Sequence, residues 1–405
     1  MIQHAVKAMT RSSDVVGGER CPDAIASALR RALDLGEIGV QVAAYVGDDL
    51  VVDAWAGEAN IDTKTSVDGD TLFPVFSIIK AVVATALHLQ AERGLIDYET
   101  PVAAYWPQFA AHGKQDVTVR DVLIHRAGIP QMPQDVTPSS FGDWYRMVDH
   151  LASAKPLLAP RTESGYLAYT FGWLIGELVR RTDSKGRSFQ RFVQDEVLGP
   201  LGVSDFFLGV PAEQEDRVAT LYPEKYDGPR FDLSPYRALA TPPQIAPKPA
   251  VFNRPEVRRA FIPGANGIAT ARATARFFSL LANRGRLGNM RLLSAARVLS
   301  FCEPRPFVDE VDRVLGHIVP IGMGGFWLGG RYPGSEPTVG DSPHVLCMVG
   351  GGQTVAWADL DSRLSAAICH NRMFSNHPPL SRTEHPFVAL ADAVRAVAGK
   401  ASTKG

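Results

Sequence analysis

Apolar positions recur along this chain with two different periods, and the switch between them divides it into regions. In residues 23–35 Ile25, Leu29, Ala32 and Leu33 follow helical spacing, with Asp23 as cap and Gly36 as stop, which predicts an amphipathic helix. Residues 39–46 and 50–55 are β-rich, and Gly47-Asp48-Asp49 between them predicts a hairpin. From Ile78 to Leu89 little of the surface is polar, so this run predicts a buried helix, closed at Gly94. Proline-bearing loops then separate shorter helical patterns at 101–109, 118–124 and 141–154. A stronger pattern covers 170–181, where Gly172 and Gly176, four apart, permit a close neighbour.

Residues 236–263 are rich in proline and poor in periodicity, and read as a long connection or flap. A capped helix starts at Thr270. Short β-like runs at 346–348, 354–358 and 364–370 are parted by Gly350-Gly351-Gly352 and Leu360-Asp361-Ser362, and a last helix covers about 386–398. A helix and hairpin at one end and strands and a helix at the other combine naturally into one antiparallel sheet flanked by helices. The expected fold class is therefore α/β (α+β), with residues 20–96 and 266–400 as the sheet domain. Residues 97–265 form a mostly helical insertion with flap-like loops, and 1–19 and 401–405 are flexible termini.

Composition narrows the function without naming it. At 45% hydrophobic and 21% charged, the 405 residues suit a globular protein with a large core. The net charge of −1, with no interleaving of basic and aromatic residues, argues against nucleic acid as a partner. Cys21, Cys302, Cys347 and Cys369 show neither C-x-x-C nor metal spacing and are expected as free thiols in a reducing compartment. Residues 1–18 lack an apolar signal core and no stretch reaches membrane-span length, so a cytoplasmic protein is expected. No G-x-S-x-G, H-E-x-x-H or P-loop signature occurs, and Gly322-Met323-Gly324-Gly325 reads as a bend between strands. No cofactor and no metal are required. Nothing in the sequence excludes a homo-oligomer.

The chemistry concentrates at residues 71–80. Ser77 stands where a helix begins and Lys80 follows three residues on, so the two side chains share a face. That face is otherwise apolar. A lysine desolvated there has a depressed pKa and can take the serine proton, while the helix N-terminus favours the resulting charge. Chance alone produces such a spacing often; the apolar flanks Ile78, Ile79, Val82, Val83 and Leu87 are what distinguish this one.

Ser77-Ile78-Ile79-Lys80, Gly94-Leu95-Ile96-Asp97, residues 123–129, Tyr166 and residues 171–177, in that order, resemble the serine β-lactamase and penicillin-binding-protein superfamily. Within it the sequence is most similar to the branch of class C β-lactamases and family VIII carboxylesterases. The resemblance implies Ser77 as nucleophile, Lys80 as the lysine sharing its deprotonation, and Tyr166 as the proton-transfer tyrosine, with Tyr169 the weaker candidate. It leaves open whether Lys80 or Tyr166 is the primary base. It implies an oxyanion hole from the backbone N–H groups of Ser77 and Gly351, although glycines at 350–352 also suit a plain turn. His125 is expected to be structural. Two departures bear on substrate: Ala168 replaces the asparagine of Tyr-x-Asn, and Met348-Val349-Gly350 replaces Lys-Thr-Gly. Met348, Gly350, Trp357 and Phe76 are the expected substrate-binding residues. Phe73, Trp144, Tyr145 and Trp173 also lie in sequence beside the motifs.

A methionine cannot hold a substrate carboxylate, so the implied activity is that of a serine esterase working on a small-molecule ester through a seryl acyl-enzyme and passing the acyl group to water, an alcohol or an amine. A β-lactamase or peptidase, and a catalytically silent binding or scaffold relative, remain as alternatives.

Overall fold

A computed structural model describes residues 16–224, 234–374 and 381–402; the expectations for 1–15 and 403–405 fall outside them. The chain enters as strand β1 (Val16–Arg20), followed by α1 (Asp23–Asp34), β2 (Gly39–Val46) and β3 (Asp49–Asn60). Residues 16–19 are thus not part of a flexible terminus, because β1 pairs along β3 in an antiparallel ladder. The local sequence is glycine-rich and weakly patterned, and the pairing is a tertiary gain. Asp23 is the first helical residue of α1 and Pro22 occupies the cap, so the aspartate acts through the first-turn dipole rather than as a cap.

After β4 (Thr65–Ser66) and β5 (Phe73–Phe76) comes α2 (Ile79–Glu92). The middle of the chain supplies α3 (Val102–Tyr105), α4 (Val119–Leu123), α5 (Trp144–Ser153), α6 (Thr170–Thr182), α7 (Phe189–Val193), β6 (Phe206–Leu208) and β7 (Tyr222–Pro223). The segment that reads as an unpatterned flap instead holds short helices. These are α8 (Pro235–Ala240), α9 (Pro249–Phe252) and α10 (Pro255–Arg259), each with a proline in its first turn, where a missing N–H costs nothing.

The chain then returns through β8 (Gly267–Ala269), α11 (Ala271–Ala282), β9 (Arg286–Leu287), β10 (Met290–Arg291) and α12 (Ala295–Ser300). It ends with β11 (Trp327–Leu328), β12 (Val345–Val349), β13 (Val355–Asp359), β14 (Leu364–His370), β15 (Arg372–Met373) and α13 (Val388–Ser402). Residues 401 and 402 therefore belong to the last helix and not to a flexible tail.

The main sheet runs β1-β3-β2-β14-β13-β12-β11, with β4 beside β3, and its ladders are antiparallel. The two ends of the chain meet at its centre, where β2 pairs β14 from Val46 opposite Leu364 to Val40 opposite His370. Side-chain alternation sends Val42, Ala44, Cys347, Trp357 and Ile368 to the face covered by α1 and α13. It sends Ala43, Tyr45, Leu346, Met348, Ala356 and Cys369 to the face that carries α2 and α11. Every residue of α2 from Ile79 to Ala91 is buried. Its polar members are paired within that core: Thr85 donates to Ala81 O, His88 bonds Tyr98 and Gly324 O, and Gln90 donates to Thr182. Among the described residues no helix is long and apolar enough to cross a membrane.

Candidate active site

Between Thr71 and Ala91 every residue but Ser77 is buried, and Ser77 is partly exposed. The preceding Phe76 has φ of +48°, a left-handed conformation that a bulky residue rarely adopts, and this kink turns the chain from β5 into α2 with Ser77 at the bend. Lys80 is fully buried. Its Nζ lies 2.8 Å from Ser77 Oγ and donates to Ala168 O at 2.7 Å and Gly264 O at 2.5 Å. Burial pushes its pKa well below the usual lysine value. In its neutral form this amine has two N–H groups and one lone pair; with the two carbonyls taking the former, the lone pair would face the Ser77 hydroxyl. Gly264 reaches the lysine because α6 carries Gly172, where any Cβ would lie 2.2 Å from Gly264 N. At Gly172 the close neighbour is therefore the segment that delivers this acceptor, while Gly176 makes room for the Phe189 and Trp144 rings.

Tyr166 is buried beside Ser77, with its ring centroid 4.9 Å from Lys80 Nζ. Burial raises its pKa above the ordinary phenol value, so it is protonated at neutral pH. Tyr169 is committed elsewhere, donating to Ile245 O at 2.7 Å. His125, left-handed at φ +61° and fully buried, accepts the Leu167 N–H on Nδ1 at 3.0 Å, and its carbonyl accepts from Gly165 N. Burial, then the charges of Lys80 and Arg305, push its pKa well down, so the ring is neutral and holds the loop that carries Tyr166.

At the end of β12 a Cβ on Gly350 would lie 2.5 Å from Val75 O, so only glycine lets this edge pass so close to β5. Gly351 lies against the Phe76 ring. Among the described residues neither the Ser77 N–H nor the Gly351 N–H meets a protein acceptor.

Three of the expected substrate-binding side chains are corrected. Met348 and Trp357 are fully buried and Phe76 nearly so, so none offers surface to a ligand. Trp357 lies on the far face of the sheet, because strand alternation places it opposite Ala356 and Ala358. Phe73 and Trp173 are core, Trp144 stacks on Phe261, and Tyr145 is exposed on α5. The apolar wall beside Tyr166 comes instead from Ala168, Tyr236, Leu315 and Trp327, which pack with Tyr166, Ala240 and Val314. Trp327 sits edge-on to the Tyr166 ring, centroids 6.0 Å apart. No local pattern in the sequence singles out Trp327 or Tyr236, nor the two carbonyls that hold Lys80. An open polar hollow of about 970 Å³, lined in part by Asn60, Asp70, Asp205, Glu215 and Arg217, contains none of these side chains. Among the described residues no His, Cys, Asp and Glu cluster could hold a metal ion.

A mixed α/β architecture with an antiparallel sheet between helices, and a serine at the kink into a buried helix with a lysine one turn on, define the β-lactamase/transpeptidase-like class. The family model described as Beta-lactamase matches residues 25–391, and the chain belongs to that family. It is 35% identical over 383 residues to the Esterase/beta-lactamase LipL of Mycobacterium tuberculosis, covering 91% of this chain and 84% of that one. Among solved structures it resembles a family VIII carboxylesterase (30% identity, TM-score 0.81, covering 95% of this chain and 100% of that one). A penicillin-binding protein homolog from Caulobacter crescentus is similar to the same degree (31% identity, TM-score 0.81, with the same coverage).

Proposed function

We propose that this protein is a serine esterase that cleaves neutral carboxylic esters through a seryl acyl-enzyme. Lys80 takes the Ser77 hydroxyl proton as Oγ bonds to the ester carbonyl carbon. The N–H groups of Ser77 and Gly351 hold the developing oxyanion. The carbon–oxygen bond to the alcohol then breaks, and the departing oxygen receives a proton by way of Tyr166, which Lys80 in turn reprotonates. Water attacks the acyl carbonyl in the second half, its proton passing by way of Tyr166 to Lys80; as the acyl–Oγ bond breaks, Lys80 returns that proton to Oγ, and the acid and Ser77 are released.

The observation that carries this reading is the fully buried Lys80, both of whose N–H groups are taken by carbonyls, 2.8 Å from Ser77 Oγ. It favours lysine as the base and the protonated tyrosine as the shuttle. The names of the LipL relative and of the family VIII carboxylesterase support esters as substrates. Ala168, Leu315 and Trp327 support an apolar acyl or alcohol group. The buried Met348, in place of a cation on β12, argues against a β-lactam carboxylate as the preferred handle. A reducing, cytoplasmic setting is part of the proposal, supported by four unpaired cysteines; localisation of a tagged full-length chain tests it.

The test of the reaction is intact-mass analysis after incubation with a fluorophosphonate and a panel of p-nitrophenyl esters. A single adduct at Ser77 is expected, with Ser77→Ala abolishing labelling and lowering kcat by at least about a thousandfold. Labelling at another serine, or substantial residual turnover in Ser77→Ala, refutes the assignment and points to a different nucleophile; no adduct and no turnover in the wild type favours a silent relative.

A further inference from the structure

Tyr166 lies in a stretch without regular structure, and a carboxylate from far along the chain holds its backbone. Asp312 is fully buried. Its Oδ1 accepts the N–H of Tyr166 at 3.0 Å, of Val314 at 2.9 Å and of Leu315 at 3.0 Å, while Oδ2 accepts the Ser164 hydroxyl at 3.1 Å. Arg313 N–H closes the clip by donating to Ser164 O at 2.9 Å. Among the described residues Asp312 has no cationic group within ion-pair distance; four hydrogen-bond donors, with the buried Arg305 guanidinium attracting it from further off, compensate its burial. Two of the four belong to Tyr166 and to Ser164, two residues before it. On the other side of the loop Leu167 N–H is held by His125 and Ala168 O by Lys80. Asp312 is thus the side chain that fixes the main chain of Tyr166 itself.

We propose that Asp312 is the positioning residue for Tyr166: by anchoring the Tyr166 N–H and the Ser164 hydroxyl it sets the phenol against Ser77, and its influence on turnover passes through that tyrosine. The proposal rests on the reading of Tyr166 as the proton-transfer group. Three of the four bonds fall on Oδ1, so an asparagine keeps them with its amide oxygen and meets Ser164 Oγ with its amide N–H. Glutamate keeps the charge but carries the acceptor one methylene further. Position and charge are therefore separable.

The experiment measures kcat and KM on a p-nitrophenyl ester, per active site titrated with a fluorophosphonate, for Asp312→Asn and Asp312→Glu, each with Tyr166 intact and as Tyr166→Phe. D312N is expected to stay within about fivefold of wild-type kcat, and D312E to lose at least about thirtyfold with KM within about threefold. In the Tyr166→Phe background the D312E loss should shrink below about threefold, because residues acting through one another are not additive. Wild-type kcat in D312E, an equal loss in D312N, or an undiminished loss in the Tyr166→Phe background overturns the proposal alone. Wild-type kcat in Tyr166→Phe by itself overturns the reading of Tyr166 and the proposal with it.

Discussion

Replacing Lys80 with methionine keeps the length of the side chain and removes the amine, so it separates the base from the packing. A positioned general base contributes about 10² to 10⁴ in rate, and Lys80→Met should lower kcat/KM by that factor, equivalent to roughly 3 to 5 kcal/mol of barrier. Stability responds to two opposed effects. Ala168 O and Gly264 O lose a donor, at a cost of roughly 1 to 3 kcal/mol for each buried carbonyl left unsatisfied. Against this, the wild-type fold holds an amine whose pKa burial has lowered, and each unit of that shift costs about 1.4 kcal/mol at pH values below it. Removing the amine restores that amount, so the melting temperature should move little while the rate collapses. The assay is p-nitrophenyl butyrate hydrolysis from about pH 5 to 10, per fluorophosphonate-titrated site. Wild type should show an acid limb with its midpoint well below the ordinary lysine value, and the residual activity of Lys80→Met should lack it. A variant within about tenfold of wild type, or one that retains the same acid limb, refutes lysine as the base.

Neutral esters with short to medium acyl chains should be turned over, and ampicillin and cephalothin hydrolysed very slowly or not at all; a β-lactam kcat/KM comparable to that of the best neutral ester sinks the substrate argument. Met348→Lys puts an unpaired charge at a fully buried position, so the variant should lose several kcal/mol in urea unfolding, and an undiminished stability would mean that this stretch of β12 is not dry. His88 gives an acid-lability prediction. Burial first, with Arg297 and Arg120 adding to it against the opposing Gly324 hydrogen bond, holds its pKa down to about 3. Between about 3 and 6.5 the unfolded chain binds a proton that the folded one does not, so stability falls as pH drops through this window, by up to about 1.4 kcal/mol per pH unit. His88→Gln should remove that part of the slope in urea titrations at about pH 7 and pH 5; identical slopes would show that other groups set it.

The sequence alone determined the features that arise from neighbours within one turn or one hairpin. The periodicity of residues 23–35, the Gly47-Asp48-Asp49 turn and the apolar run behind Ser77 dictate α1, the β2–β3 hairpin and a helix that must be buried. A lysine three residues after a serine shares its face on any helix, which is why Ser77 and Lys80 are legible without coordinates. Proline misled where its two uses diverge: in residues 236–263 it starts helices, and composition alone cannot tell a helix start from a break. Only the tertiary structure decided what lies across the cleft. Gly264 O, the Trp327 ring and the β12 edge come from segments more than a hundred residues away from Lys80, and no local pattern records which carbonyl or ring they bring. The faces of the sheet are set by register, and a period of two puts Trp357 behind the sheet although it lies close in sequence to the glycines beside Phe76. The left-handed φ of Phe76 has the same origin, since the packing of its ring against Gly351 and Phe252 offsets a strain that the isolated segment would relax.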